Sequence, residues 1–246
     1  MRRQSNSDKK VIDKKADKVY TERKNLRGNQ MENTALDIIL KSRLIVILRG
    51  VPANKILGVG EALYKGGVKA VEVTFSADKS TPDEVTAEKI SLLDKNFGDK
   101  MIVGAGTVLS PEQVDIAASA GAKLIVSPDV NPDVIKRTKK LDLVSVPGAF
   151  TATEAMTAHR AGADIIKLFP VGSVSPEYLA ALTAPLSHLK FFAVGGVTEK
   201  NLPDYLKAGA AGAGISSGIV SKLSIANDDY AEIERKAHAF AEILSK

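Results

Sequence analysis

The 246-residue chain has no cysteine and no tryptophan, and only 5% of its residues are aromatic. Without cysteine there are no disulfides, thiolate metal sites or cysteine nucleophiles, a usage that fits a reducing compartment. Histidine is scarce too: His159, His188 and His238 stand singly without metal-ligand spacing, so they read as structural or surface residues and no metal is expected. No apolar stretch approaches the roughly 20 residues that span a bilayer, and the charged N-terminus is not followed by the apolar core of a signal peptide. The expectation is a soluble, cytoplasmic protein without a membrane partner. A chain of this length buries roughly 70–75% of its unfolded surface, enough for one domain with a substantial core.

The charge of +5 invites a nucleic-acid reading, but its location argues otherwise. Residues 1–33 hold ten Lys/Arg against five acids, so this segment alone is +5. Removing it from 34 basic and 29 acidic residues leaves 24 of each, and the remainder carries no global basic footprint. No nucleic-acid partner is therefore expected. The segment is poor in large apolar residues, which predicts a basic, disordered extension over 1–33 followed by one domain over 34–246. Met31, just ahead of the first periodic segment, makes an upstream extension or misassigned start a further expectation.

From residue 34 onward short β-branched runs alternate with longer helical patterns, the signature of βα units and a parallel sheet. Strands are predicted at Leu44–Leu48, Ala70–Thr74, Met101–Gly104, Leu124–Val126, Leu143–Val146, Asp164–Leu168, Lys190–Ala193 and Gly212–Ile215. Helices are predicted near 53–66, 82–97, 111–121, 132–141, 152–161, 176–184, 199–208 and 229–245, with one more near 34–42 ahead of the first strand. Ser110-Pro111-Glu112, Asn131-Pro132-Asp133 and Thr151-Ala-Thr-Glu154 each set a capping side chain before a proline or an early acid. Eight βα repeats in roughly 210 residues fit a single-domain (β/α)8 TIM barrel better than an open doubly wound sheet, and no dinucleotide fingerprint follows the first strand. No cofactor is expected.

Such a barrel carries its active site at the C-terminal strand ends, which makes the polar residues there the candidates. They are Arg49 after strand 1, Glu72 and Thr74 on strand 2, Thr107 after strand 3, and Ser127-Pro128 after strand 4. Lys167 ends strand 6, Gly195-Gly196 follow strand 7, and Ser216-Ser217 follow strand 8. Lys167 interrupts the otherwise apolar run Ala163-Asp-Ile-Ile-Lys-Leu-Phe-Pro170. Burial there disfavours the ammonium and frees the amine to attack a carbonyl, the ordinary alternative being a strand-end lysine whose head escapes to solvent. Period-two alternation places Glu72 and Thr74 on one face and Val71 and Val73 on the other. A carboxylate within Ala-Val-Glu-Val-Thr is either half of a structural ion pair with Lys167 or a mobile acid/base beside an imine-forming lysine. Gly195-Gly196 and Ser216-Ser217-Gly218 form a candidate phosphate cradle after strands 7 and 8, against the alternative of plain turn geometry. Arg49 offers a fork suited to a carboxylate or to a surface ion pair.

Three functions are open for these residues: a Schiff-base aldolase, another phosphate-binding barrel enzyme such as an isomerase or synthase with Glu72 as base, or a non-catalytic assembly scaffold. The motifs Ile47-Leu-Arg-Gly50, Val71-Glu-Val-Thr74, Val103-Gly-Ala-Gly-Thr-Val108, Val126-Ser-Pro128, Ile166-Lys-Leu-Phe-Pro170 and Val194-Gly-Gly-Val197 resemble, in order, those of the class I 2-keto-3-deoxy-6-phosphogluconate / 4-hydroxy-2-oxoglutarate aldolases. The resemblance implies a metal-free homotrimer that splits a phosphorylated keto-deoxy sugar acid into pyruvate and glyceraldehyde 3-phosphate. It implies Lys167 as imine former and Glu72 as proton carrier, with Arg49 and Thr107 on the carboxylate. Pro128 and Phe169 would wall the pocket, and Gly195, Gly196 and Ser217 would hold phosphate. The chain departs from the family pattern at Phe75-Ser76-Ala77, at Asp129 where glycine is usual, and at Val194 where threonine is usual. These positions leave open the gluconate acid, its galactonate epimer and 4-hydroxy-2-oxoglutarate.

Overall fold

The computed structural model describes residues 34–246. The extension expected over 1–33 lies outside the described residues. A first helix, α1 (Ala35–Ser42), precedes the sheet, and its capping box closes through Thr34 and Asp37. The parallel strands are β1 (Leu44–Leu48), β2 (Ala70–Thr74), β3 (Ile102–Gly106), β4 (Leu124–Val126), β5 (Val144–Val146), β6 (Gly148–Ala149), β7 (Ile166–Leu168), β8 (Phe191–Val194) and β9 (Gly212–Ile215). Between and after them run α2 (Ile56–Lys65), α3 (Asp83–Phe97), α4 (Pro111–Ser119), α5 (Pro132–Lys140), α6 (Ala152–Ala161), α7 (Pro176–Thr183), α8 (Leu202–Lys207), α9 (Lys222–Ala226) and α10 (Tyr230–Ser245).

The strand order is β5-β4-β3-β2-β1-β9-β8-β7-β6, so the two ends of the sheet are β5 and β6, which are consecutive in the chain. The fifth expected strand, Leu143–Val146, is β5; β6 was not expected and continues it past Pro147, which has no N–H to give to a ladder. Pairing nonetheless passes through the break: Lys167 N–H donates to Pro147 O at 2.9 Å and Phe169 N–H to Ala149 O at 3.1 Å. Nine segments thus occupy eight barrel positions, and the sixth expected strand is β7.

Alternation along each strand sorts the apolar residues into two layers. Ile45, Ile47, Ala70, Ile102, Val144, Ile165 and Phe192 form the barrel interior, with Ile39 of α1 beneath them. Leu44, Val46, Val71, Val73, Val103 and Phe191 point outward and pack under the helices. By the same parity Glu72 and Lys167 face inward. Gly212 admits the largest interior residue, since a Cβ there would stand 2.5 Å from the Phe192 ring.

Helix starts follow the side chains that cap them. Thr151 and Glu154 make the capping box of α6, and Ser110 and Asn131 cap α4 and α5 ahead of a proline in the first turn. Several details differ from the sequence expectation, most by one or two residues at an element end. The third strand continues to Gly106 instead of ending at Gly104, which brings Gly106 into the barrel wall. The helix expected from 199 begins at Leu202, because Thr198 and Asn201 exchange bonds in a turn ahead of it. The short helix α9 carries no long apolar period and was not expected.

Candidate active site

Lys167 on β7 and Glu72 on β2 lie inside the barrel toward its C-terminal mouth, at 5% and 1% exposure. Their surroundings push both groups away from charge. Burial raises the Glu72 carboxyl to about 7, against the opposing pull of the Lys167 and Arg49 charges. Burial also lowers the Lys167 ammonium; the Glu72 charge works against that change, and Arg49 adds to it. Arg49 is exposed just past β1, yet its charge reaches both groups. Glu72 Oε2 is buried without a hydrogen-bond partner. The Lys167 ammonium lies 4.7 Å from the centre of the Phe169 ring.

The remaining candidates border this pair. Thr74 ends β2, and its hydroxyl donates to Leu48 O at 3.5 Å. Thr107 follows β3 in a left-handed conformation with φ 55°. Pro128 is half-buried beyond β4, and its carbonyl backs directly on Gly148. Phe169 is half-buried beyond β7 and packs against Gly195, where a Cβ would stand 3.0 Å from the ring. Gly195 and Gly196 take φ 85° and 90°, values that glycine adopts without strain. Ser216 and Ser217 follow β9. The Ser216 hydroxyl donates to Ile47 O at 3.4 Å, and Ser217 is exposed. Arg49, Glu72, Lys167, Phe169 and Gly195 are thus joined by charge or contact, whereas Thr107, Pro128 and Ser217 share the rim through topology.

Several neighbours were not read from the sequence. Gly172 N–H donates to Gly195 O at 2.7 Å, and a Cβ on Gly196 would stand 2.6 Å from Gly172 Cα, so the two loops touch backbone to backbone. Pro170-Val171-Gly172 could have flagged a tight turn but not its distant partner. Gln113, 4% exposed on α4, accepts the Leu109 N–H at 2.8 Å and donates to Asp83 at 3.3 Å, tying the loop that bears Thr107 to the start of α3. The loop after β2 is held at Asp78, whose carboxyl is lowered to about 2 by bonds from Ser76 and Ser80. Among the described residues no three His, Cys, Asp or Glu side chains are grouped to hold a metal, and no helix is long and apolar enough to cross a membrane.

A parallel barrel with a buried amine and a buried carboxylate at its mouth falls, on comparison with known proteins, among the aldolases, which are lyases. The chain belongs to the KDPG and KHG aldolase family, whose sequence profile matches residues 36–236. It is 43% identical over 183 residues to the 2-dehydro-3-deoxy-6-phosphogalactonate aldolase of Escherichia coli (strain K12), covering 73% of this chain and 85% of that one. It is 31% identical over 218 residues to the 2-dehydro-3-deoxy-phosphogluconate aldolase of Haemophilus influenzae, covering 87% and 100%. Among solved structures, the KDPG aldolase of Legionella pneumophila with pyruvate captured at low pH as a covalent carbinolamine intermediate superposes with a TM-score of 0.75 at 28% identity, covering 84% of this chain and 98% of that one.

Proposed function

We propose that the protein is a Schiff-base aldolase that cleaves a 2-keto-3-deoxy-6-phospho sugar acid to pyruvate and glyceraldehyde 3-phosphate. The observation that carries this reading is the buried Lys167 amine, with its pKa lowered, inside the same barrel mouth as a carboxyl raised to about 7. A carbinolamine is the adduct of an amine and a carbonyl, and Lys167 is the buried amine inside the barrel of this chain.

The neutral amine attacks the substrate ketone to give a carbinolamine, and loss of water leaves an iminium ion. The Glu72 carboxylate takes the proton of the C4 hydroxyl. The C3–C4 bonding pair then flows into the iminium, releasing the aldehyde and leaving an enamine. Glu72 returns the proton to C3, and water hydrolyses the resulting imine to pyruvate and free Lys167. A group near 7 suits both halves of this exchange at neutral pH. Arg49 and Thr107 hold the substrate carboxylate, with the Thr74 hydroxyl beside them. Pro128 and Phe169 wall the pocket, and the open backbone of Gly195 and Gly196 with Ser216 and Ser217 takes the phosphate. The working assembly is a cytoplasmic homotrimer, as the family resemblance implies, and sedimentation of the full chain checks its mass.

Higher identity to the phosphogalactonate enzyme, 43% against 31% to the phosphogluconate enzyme, favours the galactonate epimer over the gluconate acid. Pyruvate release from both epimers and from 4-hydroxy-2-oxoglutarate ranks the three substrates. The mechanism is tested by borohydride reduction with pyruvate followed by peptide mass mapping. An adduct on Lys167, absent in Lys167→Met, is the expected result; an adduct elsewhere, or none, overturns the reading.

A further inference from the structure

We propose that Gly106 is a positioning residue for the proton-carrying carboxylate: the space left by its missing side chain is the seat of the Glu72 head. This inference rests on the aldolase reading above. Gly106 is the last residue of β3 and pairs across to Thr74, so it faces the interior on the same parity as Ile102 and Gly104. Its φ is not positive, and an L-residue could adopt this backbone. The need for glycine is one of space. A Cβ on Gly106 would overlap Glu72 Oε2 and Cδ outright and stand 2.6 Å from Oε1. At Gly104, one pleat below, the obstacle is instead Leu124, a matter of wall packing.

One oxygen of the Glu72 head is held by no protein donor. Oε2 is buried and has no hydrogen-bond partner, so the cavity wall, and not a donor at that oxygen, defines where it stands. That arrangement leaves a lone pair free for a substrate proton, and it makes the position of the base depend on a neighbour that has no side chain of its own. A methyl group at 106 forces either the strand or the carboxylate to move. The strand is fixed by its ladder and by the Phe75 N–H, which donates to Gly106 O at 2.8 Å. The Glu72 head moves by side-chain rotation alone. The fold is therefore kept, and the acid/base is displaced from its seat.

The test is Gly106→Ala, with borohydride trapping and exchange of the pyruvate methyl hydrogens in deuterated water as separate readouts. Trapping reports Lys167, and exchange reports proton transfer at C3. The expected result is a retained Lys167 adduct with exchange and kcat reduced about 100-fold or more, the scale of a lost general acid/base. The double variant Glu72→Asp with Gly106→Ala is expected to exceed Gly106→Ala alone, because the shorter acid fits beside the methyl group. Wild-type exchange in Gly106→Ala, or a double variant no better than the single one, overturns the assignment. Failure to trap pyruvate in the wild-type protein overturns the aldolase reading, and this inference falls with it. Where Gly106→Ala folds poorly, stability decides: the alanine should lower Tm beside Glu72 yet leave a Glu72→Ala protein as stable or more so. An equal loss in both backgrounds removes the seat.

Discussion

Replacing Glu72 with glutamine should abolish a specific pH dependence of stability. The carboxyl moves from an ordinary value of 4.5 to about 7 on folding because burial penalises its charged form. Between those two pH values the native protein holds a proton that the unfolded chain releases, so stability falls as pH rises through the window. The loss is about 3 kcal/mol in all, complete above the folded value and absent below 4.5. For a domain of this size that corresponds to roughly 6–12 °C in Tm. Glutamine keeps the shape and removes the ionisation. Lys167, deprived of an opposing charge, is lowered further, which makes the variant gain stability with pH if it changes at all. Thermal unfolding of both proteins at pH 5 and pH 8 reads the effect, because titrations other than those of the coupled Glu72 and Lys167 cancel in the difference, and the Lys167 change adds to it with the same sign. The wild type should lose several degrees relative to the variant on going to pH 8. Parallel pH profiles would refute the raised carboxyl and, with it, the account of Glu72 as a base that ionises near neutrality.

Two further outcomes follow from the packing. Phe192→Ala empties the centre of the barrel beside the β7 register position of Lys167; it should cost about 3–5 kcal/mol and lower Tm by roughly 6–20 °C, and a loss under a few degrees in calorimetry would show that the interior collapses to fill the gap. Gln113→Ala leaves the Leu109 N–H without its acceptor and should cost about 1–3 kcal/mol while raising KM several-fold through the loop that bears Thr107; steady-state kinetics with an unchanged KM would separate that loop from the site.

Most of the architecture was legible because local rules determine it. The proline-led helix starts at Ser110 and Asn131 and the capping box at Thr151 appear as their side chains imply, and Leu44–Leu48, Ala70–Thr74, Leu124–Val126 and Gly212–Ile215 match their expected bounds. The misplaced end of the third strand has a definite cause. The expected strand stopped at Gly104, yet Ala105 and Gly106 continue it, and both glycines are strand residues where Leu124 and the Glu72 head occupy the space of a side chain. No local pattern carries that information. The break at Pro147 was equally hidden, since a ladder that closes across a proline depends on which strand comes to lie alongside.

The sequence alone determined the alternation of strands and helices, the shared face of Glu72 and Thr74, the anomaly of a lysine in an apolar run, and the confinement of the net charge to residues 1–33. Each is a matter of spacing or composition within a few residues. The tertiary structure alone decided that Lys167 and Glu72 share one desolvated mouth, that Arg49 reaches both, that Gly172 lies against Gly195 and Gly196, and that Gly106 yields its space to a carboxylate. Alternation says which way a side chain points but not what it meets. Register and ring closure set that meeting, and burial then makes both charges costly enough to change their chemistry.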